Sequence, residues 1–134
     1  MSLTDTFTLQ KIGHVRTPFQ AMQECPRNTD PDGPVCRLEL DPQFTDGLYG
    51  LSPGDRILVL YWLDRATVTG MQRPSRKTGE IKGIFALRTP HRPNPIGTAE
   101  IIIEKISDNE IVTRGLDCLD MTPLLDIKPV MKNK

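Results

Sequence analysis

Arg56-Ile57-Leu58-Val59-Leu60-Tyr61-Trp62-Leu63, entered from the turn-forming Ser52-Pro53-Gly54-Asp55, is the stretch on which the fold depends. It is a continuous apolar run, rich in β-formers and of strand rather than helix length. Working outward, Val35 to Leu40 alternates apolar and polar residues and stops at Asp41-Pro42, while Thr8 to Val15 ends before Thr17-Pro18. Downstream, Ile81 to Leu87, Gly97 to Ile106 and Glu110 to Leu116 repeat the pattern, with Ser107-Asp108-Asn109 as a hairpin-like turn. No long stretch keeps a helical period; Asp41 to Leu51 supplies one short helix at most. About seven closely spaced strands argue an all-β barrel or sandwich with little helix.

The chain of 134 residues suits a single domain over 1–134, with no internal repeat or linker to divide it. Its twelve prolines fit loops and edges better than helix interiors. Met1 to Phe7 has no basic start followed by an apolar run, so no secretory leader is expected and the protein is placed in the cytoplasm. The longest apolar run, Ile57 to Leu63, is too short to cross a bilayer, and no membrane partner is expected. Cys25, Cys36 and Cys118 form no CxxC pair, which predicts reduced thiols. With only two histidines beside them, no metal site is expected.

Formal charge is zero, yet it is unevenly distributed. Between Arg65 and Arg92 seven basic residues (Arg65, Arg73, Arg76, Lys77, Lys82, Arg88, Arg92) face the single acid Glu80. Two polar loops are long for so small a domain: Phe19 to Pro34, and Arg65 to Glu80, which carries much of this charge. Clustered Arg and Lys in a loop are an electrostatic footprint suited to a phosphate backbone, although a solvated loop has the same composition.

Gly83-Ile84-Phe85-Ala86-Leu87-Arg88-Thr89-Pro90-His91-Arg92-Pro93-Asn94-Pro95-Ile96-Gly97 begins as a strand and breaks into three prolines. Pro93 and Pro95 fix their own φ and push Arg92 and Asn94 toward extended backbone. The loop is stiff, so binding costs it little ordering entropy. A second segment, Gly115-Leu116-Asp117-Cys118-Leu119-Asp120-Met121-Thr122-Pro123-Leu124-Leu125-Asp126-Ile127-Lys128-Pro129, holds three acids among apolar residues. Asp120, Thr122 and Pro123 suggest a tight turn, and Asp126 lies on or beside the last strand.

These two segments closely resemble the TrmO (TsaA-like) family, as do Ile12 to Phe19 and Leu58 to Arg65, in the right order along nearly the whole chain. The resemblance implies a homodimeric β-barrel that binds S-adenosylmethionine. It implies methylation of N6 of threonylcarbamoyladenosine next to the anticodon of certain tRNAs, making the tRNA anticodon loop the partner. Carried over by motif, the cofactor site involves Arg27, Asp64, Arg65, Arg88, Pro93, Asn94, Pro95, Ile96, Gly97, Thr98, Asp126 and Ile127. RNA contacts are expected from Arg65, Arg73, Arg76, Lys77 and Arg92. The chain departs from the pattern at Asp64, where the family has histidine, and at Met121, where it has glycine. It carries no further segment after the Lys128-Pro129 region, so RNA contacts are expected from its loops and a second copy.

An acylated adenine N6 is a poor nucleophile, and a nearby acceptor would help remove its proton. By chemistry the candidates are Asp120, Asp126 and His91, and the sequence does not choose among them. Tyr61 and Trp62 suit base stacking, but in an apolar strand they are more often core. Two other readings remain: a methyltransferase of the same fold with another substrate, and an S-adenosylmethionine-binding module without catalysis.

Overall fold

The computed structural model describes residues 5–131. Met1 to Thr4, part of the stretch read for a leader, lie outside them. Nine strands are formed by the described residues: β1 (Gly13–Arg16), β2 (Val35–Leu40), β3 (Arg56–Trp62), β4 (Gln72–Pro74), β5 (Ile81–Gly83), β6 (Ile96–Ile102), β7 (Lys105–Ser107), β8 (Glu110–Arg114) and β9 (Thr122–Pro129). Seven of them make one antiparallel sheet in the order β6-β3-β9-β1-β2-β8-β7, and β4 pairs with β5 as a separate arm.

The apolar run that opened the sequence is β3, hydrogen-bonded on both edges, to β6 and to β9. Ile57, Val59 and Tyr61 point into the core, at 3% exposure or less, whereas Leu58, Leu60 and Trp62 are half-buried on the opposite face. A strand covered in part on both faces needs no polar alternation. Val15, Leu38, Leu40, Ile101, Ile111, Leu116 and Leu124 complete the core.

Of the expected β-barrel, the structure shows a mostly-sheet fold built on a seven-strand antiparallel sheet, and no backbone ladder joins β6 to β7 or β8 among the described residues. The sheet ends touch through single bonds: Thr113 Oγ1 donates to the Ile102 carbonyl and the Glu104 amide to the Val112 carbonyl, both at 2.8 Å. A ladder does not continue there because Ile103 exchanges its backbone bonds with Gly54 and Asp55, in the turn before β3. The expected strand Gly97 to Ile106 is for this reason broken between β6 and β7. Ile81 to Leu87 also divides, into β5 and a 3₁₀ turn over Ile84–Ala86 in which Ile84 is the buried residue. The short helix expected over Asp41 to Leu51 is a 3₁₀ helix, Pro42–Leu48. Of Thr8 to Val15, only Gly13 onward is strand, and Phe7 and Leu9 are exposed.

Two irregularities shape β9. Between Leu60 and Tyr61 the register with β9 slips by one residue, so that Tyr61 faces Leu124 and Leu60 faces Asp126. The bulge sends Leu124 into the core yet leaves Asp126 on the outer face, in a row with Leu60 and Thr98. Just before β9, Met121 has φ +66°, the left-handed region, and its amide donates to the Val15 carbonyl at 2.9 Å. The turn thus keeps the conformation for which glycine is suited, with methionine in the place of glycine. Met121 is about half exposed, so little packing is lost on truncation. Relief of a left-handed side chain (about 1–2 kcal/mol), less the extra entropy of an unfolded glycine (about 0.4–1 kcal/mol), should make Met121→Gly more stable by about 0.5–1 kcal/mol. Urea denaturation checks this; a lowered midpoint contradicts it.

Candidate functional site

The start of the basic segment is fastened to the proline-rich loop at two points. At the first, the Leu63 amide, just past β3, donates to the Pro95 carbonyl at 2.8 Å. Next to it, His91 Nδ1 lies 2.8 Å from the Thr67 carbonyl. A carbonyl can only accept, so Nδ1 carries the proton.

The loop is braced from within. Arg92 donates from one guanidinium nitrogen to the Leu87 carbonyl at 2.9 Å and to the Thr89 carbonyl at 3.1 Å, and lies 5.9 Å from the centre of the Phe85 ring. Its amide bonds to the Pro90 carbonyl, the His91 amide to Thr89 Oγ1 and the Ile96 amide to the Asn94 carbonyl. Arg92, expected to contact RNA, is thus engaged in holding its own loop. One nitrogen of the exposed Arg88 guanidinium donates to Thr98 Oγ1 at 2.9 Å on the outer face of β6, which leaves further donors of the fork unused.

Behind this lies a polar pair that the sequence reading did not single out. Tyr61, 3% exposed, donates its hydroxyl to Asp117 Oδ1 at 2.9 Å. Burial raises the Asp117 carboxyl above the usual carboxylate range, while the Tyr61 bond, its own amide and the charge of Arg88 draw it back. Burial also raises the Tyr61 phenol, with Asp117 adding to the effect. The ring fits only because Gly97 faces it across the ladder: a Cβ there would stand 2.4 Å from Tyr61 Cε2. Asp117 in addition raises the Cys25 thiol, after burial, and the Asp30 amide donates to the Gly115 carbonyl at 2.9 Å, which ties the Phe19 to Pro34 loop to the same segment. An acid between Leu116 and Cys118, both buried, was the signal that could have revealed Asp117.

The other expected residues are distributed as follows. Pro93 and Asn94 are exposed at the loop tip, Pro95 is buried, and Ile96 opens β6 beside Trp62. Ile127 packs against the core opposite Val59, so its backbone rather than its side chain is available to a ligand. Asp126 pairs with Lys128 at 3.0 Å and accepts from the Ile127 amide. Arg27, Asp64 and Arg65 are exposed, and none forms an ion pair among the described residues. Tyr61 is core, as an apolar strand predicts; Trp62 lines a groove of about 370 Å³ with Phe7, Leu9, Lys11, Pro123 and Leu125.

In the arm, Arg73 stands directly opposite Lys82, and Arg76 and Lys77 occupy the exposed turn. Like charges placed opposite one another repel, and an anion between them removes that cost. Arg73 also donates to Thr69 Oγ1 at 2.6 Å.

Asp120 is a structural acid. Burial alone would raise it, but Arg16 Nε at 2.9 Å, the Thr17 amide at 3.1 Å and Gln20 at 3.3 Å hold its carboxyl below the usual range. A lowered folded pKa stabilises the fold above the unfolded value, and that contribution disappears as pH falls through the folded one. Asp120→Ala should therefore destabilise by about 1.5–3 kcal/mol near neutrality, the range for bonds to a charged group. The difference from the parent should shrink below about pH 4, the ordinary carboxylate pKa; urea midpoints across pH would refute the assignment if the gap stayed constant. The three cysteines are free, and burial raises every thiol, Cys118 up to about 12, which removes thiolate chemistry near neutral pH. Among the described residues no cluster of three or more His, Cys, Asp or Glu is placed to hold a metal, and no helix is long and apolar enough to cross a membrane.

Comparison with known proteins gives one consistent result. The model of the tRNA-methyltransferase O N-terminal domain matches residues 14–134. A Rhizobium radiobacter protein named "probable S-adenosyl-L-methionine-binding protein VirR" is 45% identical over 118 residues, 88% of this chain and 67% of the relative. An S-adenosyl-L-methionine-binding protein of Archaeoglobus fulgidus is 34% identical over 120 residues, covering 90% and 86%. The crystal structure of TrmO from Pseudomonas aeruginosa superposes with a TM-score of 0.76 at 30% identity, over 95% of this chain and 57% of that one. The chain thus spans a little over half of that solved structure, and a second Archaeoglobus relative is matched over only 33% of its length.

Proposed function

The chain belongs to the tRNA-methyltransferase O N-terminal domain family, and from that premise we propose that it is an S-adenosylmethionine-dependent methyltransferase acting on N6 of threonylcarbamoyladenosine beside a tRNA anticodon. The observation that carries the reading is Arg88, braced on Thr98 and flanked by a stiff proline loop, with a basic arm rooted at the same loop.

The donor set suits the cofactor. Arg88 offers a planar fork to a carboxylate, and Asp64 offers a carboxylate to an ammonium or sulfonium. Asp126, though paired with Lys128, has the same charge. The backbone of Pro93 to Gly97, with Thr98, would line the remaining surface, with Arg27 and Arg65 at its margin and Ile127 offering backbone only. The bound cofactor supplies a methyl group activated by positive sulfur; the chain's task is to hold it and the acceptor nitrogen within reach and in line. Arg65, Arg73, Arg76 and Lys77 would take phosphates of the anticodon loop, whose single strand lets a base be splayed out. We place the protein in the cytoplasm, where its substrate would be, and read it as a homodimer; the half-buried Leu58, Leu60, Trp62 and Ile96 on the outer face of β3 and β6 support a second copy there.

Incubation with S-adenosylmethionine labelled in its methyl group and anticodon stem-loop RNA, with and without the threonylcarbamoyl group, tests the proposal. Label should enter only the modified RNA. Cofactor binding without transfer to either RNA would reject the enzyme in favour of a binding module, and transfer to the unmodified RNA would reject the substrate.

A further inference from the structure

We propose that His91 is the group that accepts the proton leaving N6, an assignment that rests on the function proposed above. Of the acids, Asp64 is assigned above to the positive charge of the cofactor, and three more are engaged. Asp120 is held by Arg16, Thr17 and Gln20; Asp126 is paired with Lys128; Asp117 receives the Tyr61 hydroxyl. His91 differs in having one ring nitrogen committed and the other free. Nδ1 donates to the Thr67 carbonyl, so the neutral ring carries its lone pair on Nε2, and Nε2 has no hydrogen-bond partner among the described residues.

The ring is also held in place. Its backbone amide is bonded to Thr89 Oγ1, and the next residue, Arg92, clamps the carbonyls of Leu87 and Thr89. It therefore bridges the root of the basic arm, through Thr67, and the Arg88-bearing loop. A base held by both the substrate side and the cofactor side needs no rearrangement before it acts. The step balances as follows. The nitrogen forms a bond to the methyl carbon as the sulfur–carbon bond breaks with its electron pair remaining on sulfur. The N6 proton passes to His91 Nε2, and water later removes it.

Two substitutions separate the roles of the two ring nitrogens. In His91→Asn the side-chain amide can still donate to the Thr67 carbonyl, but nothing replaces Nε2. In His91→Gln the amide reaches the Nε2 position, and the Thr67 bond is lost. Single-turnover methyl transfer to the modified stem-loop RNA should fall about 10²–10⁴-fold in the Asn variant, the usual span of general base catalysis. Its calorimetric affinity for S-adenosylmethionine should stay within about three-fold of the parent, about 0.6 kcal/mol. Independently of activity, nitrogen-15 spectra of the unliganded protein should show His91 protonated at Nδ1 and bare at Nε2. An Asn variant that transfers methyl at nearly the parental rate, or an Nε2-protonated neutral ring, overturns the assignment while leaving the function intact. A parent protein that binds the cofactor and transfers nothing overturns both.

Discussion

Arg88→Ala should weaken the binding of S-adenosylmethionine by about one to two orders of magnitude while leaving the fold in place. The guanidinium is exposed and bonded to Thr98, so its removal strands no buried partner. On the proposed function, what is lost is a charge-assisted bond to the cofactor's carboxylate, worth about 1.5–3 kcal/mol, or roughly 10- to 150-fold in Kd. Arg88→Lys should recover only part of this, because an ammonium cannot present two parallel donors. Isothermal titration of parent and variants, with circular dichroism as the control for folding, decides the matter. An Ala variant that binds as tightly as the parent would remove Arg88 from the site, and with it the geometry on which the function rests.

The second large effect is expected in the arm. Replacing Arg73, Arg76 and Lys77 together by alanine removes three of the positive charges on β4, β5 and their turn. If each contacts one phosphate of the single-stranded loop, the slope of log K against log salt should fall by about two, at about 0.7 per phosphate. RNA affinity at moderate salt should drop more than about ten-fold, while cofactor affinity stays unchanged. These charges are solvated, so the variant should fold normally. Loss of cofactor binding with unchanged RNA affinity would reverse the assignment of the two surfaces.

Much of the sheet was legible because β2 and β3 carry their instructions locally: alternation in Val35–Leu40 and an unbroken apolar run in Arg56–Trp62. What escaped depends on partners distant in sequence. The break at Ile103 arises from bonds to Gly54 and Asp55. Asp117 was overlooked because its partner is a tyrosine 56 positions away. The charge of Arg88 and the stiffness of the proline loop are legible because both are properties of the segment itself.

The last strand resisted a period of two because its core residues, Leu124 and Ile127, are three apart. The extra residue in the bulge acts as a phase joint: upstream and downstream halves of β9 are each in step with their neighbours, but not with each other. Deleting Leu125 would leave Leu124 and Ile127 inside and Asp126 outside, so the in-and-out order of the strand survives the loss. A length change at this point is therefore invisible to the core and is felt only on the outer face, beside Trp62 and Asp126. Loss of that one residue would thus remodel the outer surface without renegotiating the fold.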